Sequence, residues 1–215
     1  MDSRAFDTPW KIQNELWRRL AYPAVRLVFT WNGIPWGEGW RLYGVPIIQK
    51  HRRSRMSFGP GLQLRSSARS NPLGPNRPAM LVTWAEESCL EVGSDFAMTG
   101  GTLCAAKSIV IGNNVTVGAN TTVVDTDFHP LPPDQRKVNS SEGRSAAVLI
   151  EDDVFIGMNC LVLKGVRIGR GSVIGAGSVV AQDVPAGVIV AGNPARVVRV
   201  LEPGPACRSL AAREV

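Results

Sequence analysis

The most regular feature of the chain is an aliphatic residue at every sixth position between Ile150 and Pro185. The fifth position of each six-residue unit is small, and the second is often glycine, which a tight corner favours. An α-helix repeats about every 3.6 residues and a plain strand every two, so neither has this period. A short strand and a turn, three times per coil, would stack the aliphatic side chains in columns inside a solenoid. The first positions are Ile150, Ile156, Val162, Ile168, Ile174 and Val180; the fifth are Val154, Cys160, Val166, Ser172, Ser178 and Val184; the glycines are Gly157, Gly169 and Gly175.

The same period continues upstream, less regularly, and defines the extent of the domain. Adjacent coils should lie about 4.8 Å apart, so each coil adds little height. We predict an all-β solenoid at residues 44–200, preceded by an N-terminal arm at 1–43 and followed by a C-terminal tail at 201–215. The spacing of seven between Cys104 and Ile111 indicates one corner with an extra residue. The upstream units begin at Val92, Met98, Cys104, Ile111, Val117 and Val123, after a ragged first coil that starts near Phe58.

The N-terminal arm carries most of the tryptophans of the chain. Near-helical spacing predicts a short helix that ends at Tyr22-Pro23, because proline interrupts a helix. A solenoid needs its open end covered, so a capping role is the interpretation we favour. Tryptophan beside arginine also suits a membrane interface, and a peripheral membrane contact is the alternative. The helical positions are Trp10, Gln13, Trp17, Leu20 and Ala21, and the basic residues are Arg18, Arg19 and Arg26.

Composition narrows the class of partner. The chain has 215 residues and a formal net charge of +6, with arginines clustered near His51 and near the C-terminus. Nucleic-acid binding is the generic interpretation of a basic protein, but no binding motif supports it. We therefore expect anionic small molecules rather than nucleic acid. The first residues lack the features of a signal peptide and no apolar stretch reaches spanning length, so we expect a cytoplasmic protein, with the arm as a contact for the inner face of a membrane.

One long interruption, residues 125–147, separates Val123 from Ile150 and is where function should be sought. His129 lies at its root, and an imidazole with a pKa of about 6.5 can accept and release a proton at neutral pH. A lone histidine is more often a surface or core residue, but Pro130 fixes the local backbone and the repeat breaks here. His129 is therefore our candidate general base. Asp127 would fall at an inward position, so either the chain has left the solenoid or this carboxylate has a partner.

Three segments together resemble the hexapeptide-repeat acyltransferases. They are Asp125–Pro130, the repeats from Ile150 to Pro185, and Val190–Arg199. The chain is similar to the maltose and galactoside O-acetyltransferases and, more closely, to the colanic acid and other polysaccharide O-acetyltransferases. The resemblance implies a left-handed parallel β-helix, which is an exception to the usual crossover hand. It also implies a homotrimer with active sites between neighbouring subunits.

The resemblance implies that acetyl-CoA is the acyl donor and His129 the catalytic base. His129 would take a proton from the acceptor hydroxyl as its oxygen attacks the thioester, without an acyl-enzyme, and a backbone N–H would stabilise the oxyanion. Arg196 and Arg199 would bind the phosphates through their forked donors. Two positions depart from the family: Gln182 replaces a common lysine, and Met158 replaces a small residue. The implied cofactor-binding residues are Phe155, Gly157, Met158, Ala176, Ala181, Gln182, Arg196 and Arg199.

The acceptor side matches less well. Residues 96–101 lack the asparagine or aspartate that several sugar acetyltransferases carry, which argues against a maltose-like or galactoside-like pocket. An insertion from Ser66 to Trp84 fits the polysaccharide acetyltransferases better. We expect Asn71 and Asp127 to contact the acceptor. The alternatives are a turn-forming asparagine before proline and a loop-capping aspartate.

The sequence thus predicts acetyl transfer from acetyl-CoA to a sugar hydroxyl, in polysaccharide or glycan modification. N-acetylation of an amino sugar is the alternative, since the same base and groove serve an amine. A zinc enzyme on this β-helix would need three histidines, and each chain has only His51 and His129, so we expect no metal. A non-catalytic scaffold would not need the histidine or the arginine pair. Cys104 and Cys160 occupy inward positions, where burial disfavours a nucleophilic thiolate.

Overall fold

The computed structural model describes residues 7–139 and 142–202, so most of the predicted tail lies outside it. The described chain is a left-handed parallel β-helix with an N-terminal helix, as the sequence predicts. Among the described residues, two helices and a 3₁₀ turn accompany the strands: α1 (Pro9–Trp31), α2 (Pro133–Val138) and Ala68–Ser70. The strands are β1 (Arg41–Tyr43), β2 (Ile47–Lys50), β3 (Arg55–Phe58), β4 (Gln63–Arg65), β5 (Met80–Thr83), β6 (Cys89–Val92), β7 (Ala97–Thr99), β8 (Thr102–Ala105), β9 (Ser108–Ile111), β10 (Thr116–Val117), β11 (Thr122–Val124), β12 (Val148–Ile150), β13 (Phe155–Ile156), β14 (Leu161–Val162), β15 (Arg167–Ile168), β16 (Val173–Ile174), β17 (Val179–Val180), β18 (Val188–Gly192) and β19 (Ala195–Val200).

Each coil contributes one strand to each of three sheets. Sheet A has the order β1-β4-β7-β10-β13-β16-β18-β19, sheet B runs from β2 to β17, and sheet C runs from β3 to β15. Pairing is parallel between successive coils; Phe155 of β13, for example, aligns with Thr116 of β10 and Val173 of β16. Of the strand pairs in the described part of the chain, the final pair of sheet A, β18 with β19, is the antiparallel one. The first coil begins at Arg41, within the segment assigned to the arm and earlier than the ragged coil near Phe58.

Two edges of the prism carry the departures from regular coiling. We call the turns that lead from sheet A to sheet B the A–B edge, and those that lead from sheet B to sheet C the B–C edge. An insertion leaves the A–B edge between β4 and β5, at residues 66–79. It is shorter than predicted, because residues 80–83 form β5. The long loop, residues 125–147, leaves the B–C edge between β11 and β12.

The repeat positions form the core as predicted. The six first-position residues from Ile150 to Val180 are at most 1% exposed, and the fifth-position residues are at most 5% exposed. The buried polar residues among them bond between coils, which satisfies groups that would otherwise be costly to bury. Ser172 Oγ donates to Pro185 O at 2.6 Å, and Thr121 Oγ1 donates to Gly157 O at 2.8 Å. The narrow core therefore tolerates small hydroxyls as well as methyl groups.

Gly157 shows why the second position favours glycine. Its φ is not positive, so conformational freedom is not the reason. A Cβ at Gly157 would lie 2.6 Å from Ala176 N in the next coil, closer than real contacts allow. The reason is thus close approach of stacked backbones rather than the tight corner that the sequence suggested.

The prediction that the arm's helix is short and ends at Pro23 is wrong. Helix α1 contains Pro23 and continues to Trp31. An interior proline costs about 3 kcal/mol, but the turns beyond it bury Val25 and Phe29 completely, and each such side chain gains about 1.5–3 kcal/mol. Phe29 lies 5.2 Å from Trp40 and 6.2 Å from Phe58, ring centre to ring centre, so this half of α1 packs on the first coil. No helix within residues 7–139 and 142–202 is long and apolar enough to span a membrane.

Candidate functional site

The root of the long loop is fixed by a buried carboxylate. Asp125 has no exposed surface and accepts three backbone N–H bonds: from Ala106 at 2.6 Å, Lys107 at 2.8 Å and Ser108 at 2.6 Å. These donors form the corner between β8 and β9, where the repeat spacing is seven rather than six. Asp125 therefore closes the irregular corner of one coil and starts the loop of the next.

Backbone pairing then determines how the chain turns toward His129. Thr126 and Ser145 form an antiparallel bridge, and Asp127 N donates to Arg144 O at 3.0 Å. Phe128 adopts a left-handed φ of 60°, and His129 N donates to Asp127 O at 2.7 Å. His129 is an exposed residue at the B–C edge. The geometry presents the candidate base on a closed, hydrogen-bonded turn.

Gly143 lies in close contact with the backbone of this turn. A Cβ there would lie 2.6 Å from both N and C of Phe128 and 2.7 Å from N of His129. Only glycine allows the two arms of the loop to approach this closely. Sequence analysis did not single out this residue, because its requirement depends on a contact across the loop.

Asp127 has left the core columns and has a partner. Its Oδ1 lies 3.0 Å from Nζ of Lys164, which follows β14 in the next coil, while its Oδ2 is buried without a hydrogen bond among the described residues. The sequence analysis expected that the chain has left the solenoid here or that the carboxylate has a partner, and both are the case. Lys164 is a site residue that the sequence analysis missed, since nothing in its spacing signals the pairing.

Several of the predicted cofactor residues share one groove. A groove of about 400 Å³ runs along sheet A beside the A–B edge. Phe155 is half-exposed at its floor, and Gly157, Met158 and Ala176 line its side at the edge. Asn71 and Leu73, from the insertion, also line this groove. Its lining of glycine, alanine and aliphatic residues leaves room for an extended chain in contact with backbone.

The insertion is held in place by its own polar groups. Asn71 Oδ1 accepts a bond from Leu73 N at 2.9 Å, and its Nδ2 donates to Thr99 Oγ1 at 3.2 Å. Further along, Asn76 N donates to Asn120 Oδ1 and Arg77 Nη2 to Thr122 Oγ1, both at 2.9 Å. Asn71 therefore forms the turn that the sequence offered as an alternative, and it does so at the wall of the groove.

The remaining predicted cofactor residues lie outside this groove. Ala181 and Gln182 are exposed at the B–C edge, in the turn that follows β17. Arg196 and Arg199 are exposed on β19, at the end of sheet A. One chain thus places His129 and Gln182 at one edge and the groove at another.

A second, larger cavity of about 580 Å³ lies between α1 and the insertion and was not predicted. Tyr43 lies at its base, with Arg65 over its ring at 4.4 Å and its hydroxyl bonded to Glu15. Burial raises the pKa of Tyr43, and the Glu15 charge adds to this effect. Burial opposes ionisation of Glu15, but hydrogen bonds from Tyr43 and Arg18 outweigh it, so the pKa of Glu15 is lowered. Asn71 borders both this cavity and the groove.

The thiols at inward positions are poorly suited to nucleophilic chemistry, as the sequence indicates. Cys104 and Cys160 are buried and free. Burial, reinforced by the charge of Asp125, raises the pKa of Cys104 to about 11. Burial also raises the pKa of Cys160, whose Sγ lies 3.1 Å from Gly175 O. Both thiols therefore stay protonated at neutral pH.

Part of the chain is similar to a repeat model of bacterial transferases and to known acetyltransferases. Residues 147–182 match the model "Bacterial transferase hexapeptide (six repeats)". A galactoside O-acetyltransferase of Lactococcus lactis subsp. lactis is 45% identical over 98 residues, covering 46% of each chain. A 2,3,4,5-tetrahydropyridine-2,6-dicarboxylate N-acetyltransferase of Clostridium perfringens is 59% identical over 54 residues, covering 25% of this chain and 23% of the relative. The matched regions thus span less than half the length of these relatives.

Solved structures agree at the level of fold. A hexapeptide-repeat-containing acetyltransferase from Vibrio cholerae superposes with a TM-score of 0.50 at 24% identity, covering 93% of this chain and 91% of that chain. Its strands and those described above share one solenoid architecture. The chain thus shares the β-helix fold of this neighbour and carries matched hexapeptide repeats at residues 147–182.

Proposed function

We propose that this protein is an acetyl-CoA-dependent O-acetyltransferase that modifies a sugar hydroxyl. The observation that carries the proposal is the exposed His129 on its hydrogen-bonded turn, in a chain whose relative from Lactococcus lactis is a galactoside O-acetyltransferase. The acceptor belongs to polysaccharide or glycan modification, as the sequence predicts. An exposed imidazole beside a polar loop can reach a large acceptor directly.

Acetyl transfer needs one base and one donor groove. An imidazole nitrogen of His129 accepts the proton of the acceptor hydroxyl while its oxygen attacks the thioester carbonyl carbon. The carbon–sulfur bond then breaks, and the proton on His129 passes to the leaving thiolate of CoA. Such a base typically contributes about 10² to 10⁴ in rate.

The groove beside the A–B edge is the proposed binding site for the pantetheine arm of acetyl-CoA, and its lining supports this proposal. Gly157 and Ala176 bring backbone to its surface, and Phe155 and Met158 add apolar contact. Arg196 and Arg199 supply charge for the phosphates. Ala181 and Gln182 are proposed to contact the donor from the B–C edge. Asn71 and Asp127 are proposed acceptor contacts, although both also hold internal partners.

The test is replacement of His129 by alanine. We expect loss of acetyl transfer by about 10² or more, with acetyl-CoA binding by titration calorimetry unchanged. The matched control is His51→Ala, since His51 is the only other histidine and lies in the first coil. Turnover of the His129 variant near that of the control would refute the mechanism.

We also propose a homotrimer in which the groove of one copy meets His129 of the next. The separation of His129 and the groove onto different edges supports it, since one chain alone does not bring base and donor together. The test co-expresses His129→Ala with the groove-blocking Ala176→Trp. Random assortment should restore about a quarter of the active sites. No recovered activity would mean that each chain holds a complete site.

N-acetylation of an amino sugar is the second candidate. The matching relative from Clostridium perfringens is an N-acetyltransferase, and the same base can serve an ammonium group that loses its proton. Paired assays with methyl glucoside and glucosamine distinguish the two. Faster transfer to the amine than to every hydroxyl tested would favour the second candidate.

The arm supports a further proposal, peripheral contact with a membrane. One face of α1 packs on the first coil, while Trp31, Leu20 and Leu27 on another are 86%, 71% and 64% exposed. Arg19 and Arg26 flank this face, which is typical of interfacial helices. We expect sedimentation with phosphatidylglycerol vesicles and weaker sedimentation of Leu20→Glu. Equal behaviour of both proteins would contradict the proposal.

A further inference from the structure

Two aromatic side chains form an exposed pair at the B–C edge, and one of them, Phe128, directly precedes His129. The rings of Trp84 and Phe128 meet edge to face, with centroids 6.1 Å apart and planes at 86°. Trp84 remains 56% exposed and Phe128 remains 38% exposed. Neither belongs to the buried core clusters. The pair is therefore an apolar surface patch in a setting of polar loop residues.

The pair is built by two separate parts of the chain. Trp84 follows β5 at the B–C edge, and its backbone N–H donates to Ala105 O at 2.7 Å. Phe128 comes from the long loop two coils later, which folds back along the same edge to reach Trp84. Contact between them thus depends on the direction of the loop, not on repeat geometry.

Phe128 is held in an unfavourable conformation. A bulky residue at a φ of 60° is strained, and such strain persists where the surroundings over-determine it and clusters at functional sites. Thr126 Oγ1 accepts the N–H of Phe128 at 3.1 Å, and Gly143 leaves room beneath its backbone. The strain is not offset by burial of the ring in the core. It does hold the ring on the residue that directly precedes His129 in the turn.

We propose that Trp84 and Phe128 form an acceptor subsite that packs against the apolar face of a pyranose ring and brings its hydroxyl to His129. A pyranose presents C–H groups on its faces and hydroxyls around its rim, so it suits half-exposed aromatic rings with a polar border. The inference rests on the proposed function and names the surface that selects a ring-shaped acceptor. It assigns these residues to acceptor binding, separate from the donor groove on sheet A.

The first experiment measures steady-state kinetics of Trp84→Ala with methyl galactoside, methyl glucoside and methyl mannoside. We expect the acceptor KM to rise about tenfold while the acetyl-CoA KM stays unchanged, because one ring contact is lost. Trp84→Phe should restore most of the affinity. Trp31→Ala is the matched control, since Trp31 is exposed on α1. A changed acetyl-CoA KM, or a changed oligomeric state by light scattering, would assign the pair elsewhere and overturn the proposal.

The second experiment does not depend on turnover. Saturation-transfer NMR on the same methyl glycosides should show contact of ring C–H protons with the wild-type protein, and loss of that signal in Trp84→Ala. Signal from none of the three sugars in the wild type would overturn the subsite. Binding without acetyl transfer would instead refute the proposed function and leave the subsite supported.

Discussion

Replacing Asp125 with alanine should destabilise the fold more than any other single carboxylate change that we consider. The substitution leaves the N–H groups of residues 106–108 without their acceptor at a corner with no exposed carboxylate surface. Each unsatisfied donor costs about 1–3 kcal/mol, and the costs overlap because water can reach an opened corner. We therefore expect a loss of about 3–6 kcal/mol, a large part of the stability of an ordinary domain.

Urea unfolding followed by circular dichroism measures this loss. The free energy of unfolding of Asp125→Asn should lie between those of Asp125→Ala and the wild type. The amide keeps one acceptor oxygen, but its NH₂ group would face backbone N–H donors. Asp134→Asn is the control, since Asp134 is an exposed residue in the first turn of α2. Turnover of the alanine variant should also fall, because the same turn starts the loop that carries His129. A loss below about 1 kcal/mol would refute the assignment of Asp125 as the anchor of that corner.

Three further predictions concern the loop and the core. Gly143→Ala should lower kcat at least about tenfold with little change in Tm, because the added Cβ displaces the turn that carries His129. The control Glu142→Ala should leave kcat unchanged, and a normal kcat for Gly143→Ala would contradict the prediction. Lys164→Ala should cost about 1 kcal/mol or more in urea unfolding, and a double-mutant cycle with Asp127→Asn should show coupling; strict additivity would exclude a working ion pair. Cys104→Ala should flatten the curve of unfolding free energy against pH between pH 9 and pH 11. In the wild type the unfolded thiol ionises over this range while the folded thiol, with its pKa raised to about 11, stays protonated, so the wild type loses stability as the pH rises. Parallel curves for the two proteins would contradict the raised pKa of Cys104.

The fold could be predicted from the sequence because the six-residue repeat follows directly from the stacking of equivalent coils. Every coil meets the same two neighbours, so Ile156 and Ile174 experience nearly identical surroundings and selection of side-chain size repeats with them. Gly157 was also predictable from the spacing, although glycine is needed there because the backbone of the next coil approaches closely. A pattern that depends only on nearest coils is readable from spacing alone.

The arm could not be predicted in the same way. Spacing and Pro23 favoured a short helix, yet tertiary burial of Phe29 against Trp40 extends α1 by another two turns. The gain comes from residues more than ten positions away in sequence, which local propensity does not report. Helix length was therefore set by packing on the first coil, not by the helix itself.

The loop part of the candidate site was predictable because it coincides with an interruption of the repeat, whereas the groove residues were predicted from the family resemblance. His129 became the candidate base because the repeat breaks around it, and Asp127 was singled out because its charge conflicts with an inward position. Lys164 and Trp84 were missed, since each acts through a contact with the loop from a different coil. Their roles depend on the direction in which residues 125–147 fold, and no periodic signal encodes that direction.

The antiparallel strand β19 has a consequence for solubility. A parallel β-helix ends in strand edges whose free N–H and C=O groups invite another chain to pair with them. On sheet A that edge is covered by β19, which reverses direction and carries Arg196 and Arg199 outward, so a second molecule meets charge and the wrong strand polarity. Removing the chain from Ala195 onward would uncover the edge of β18 and should cause molecules to associate through this exposed end, which the reversed strand prevents.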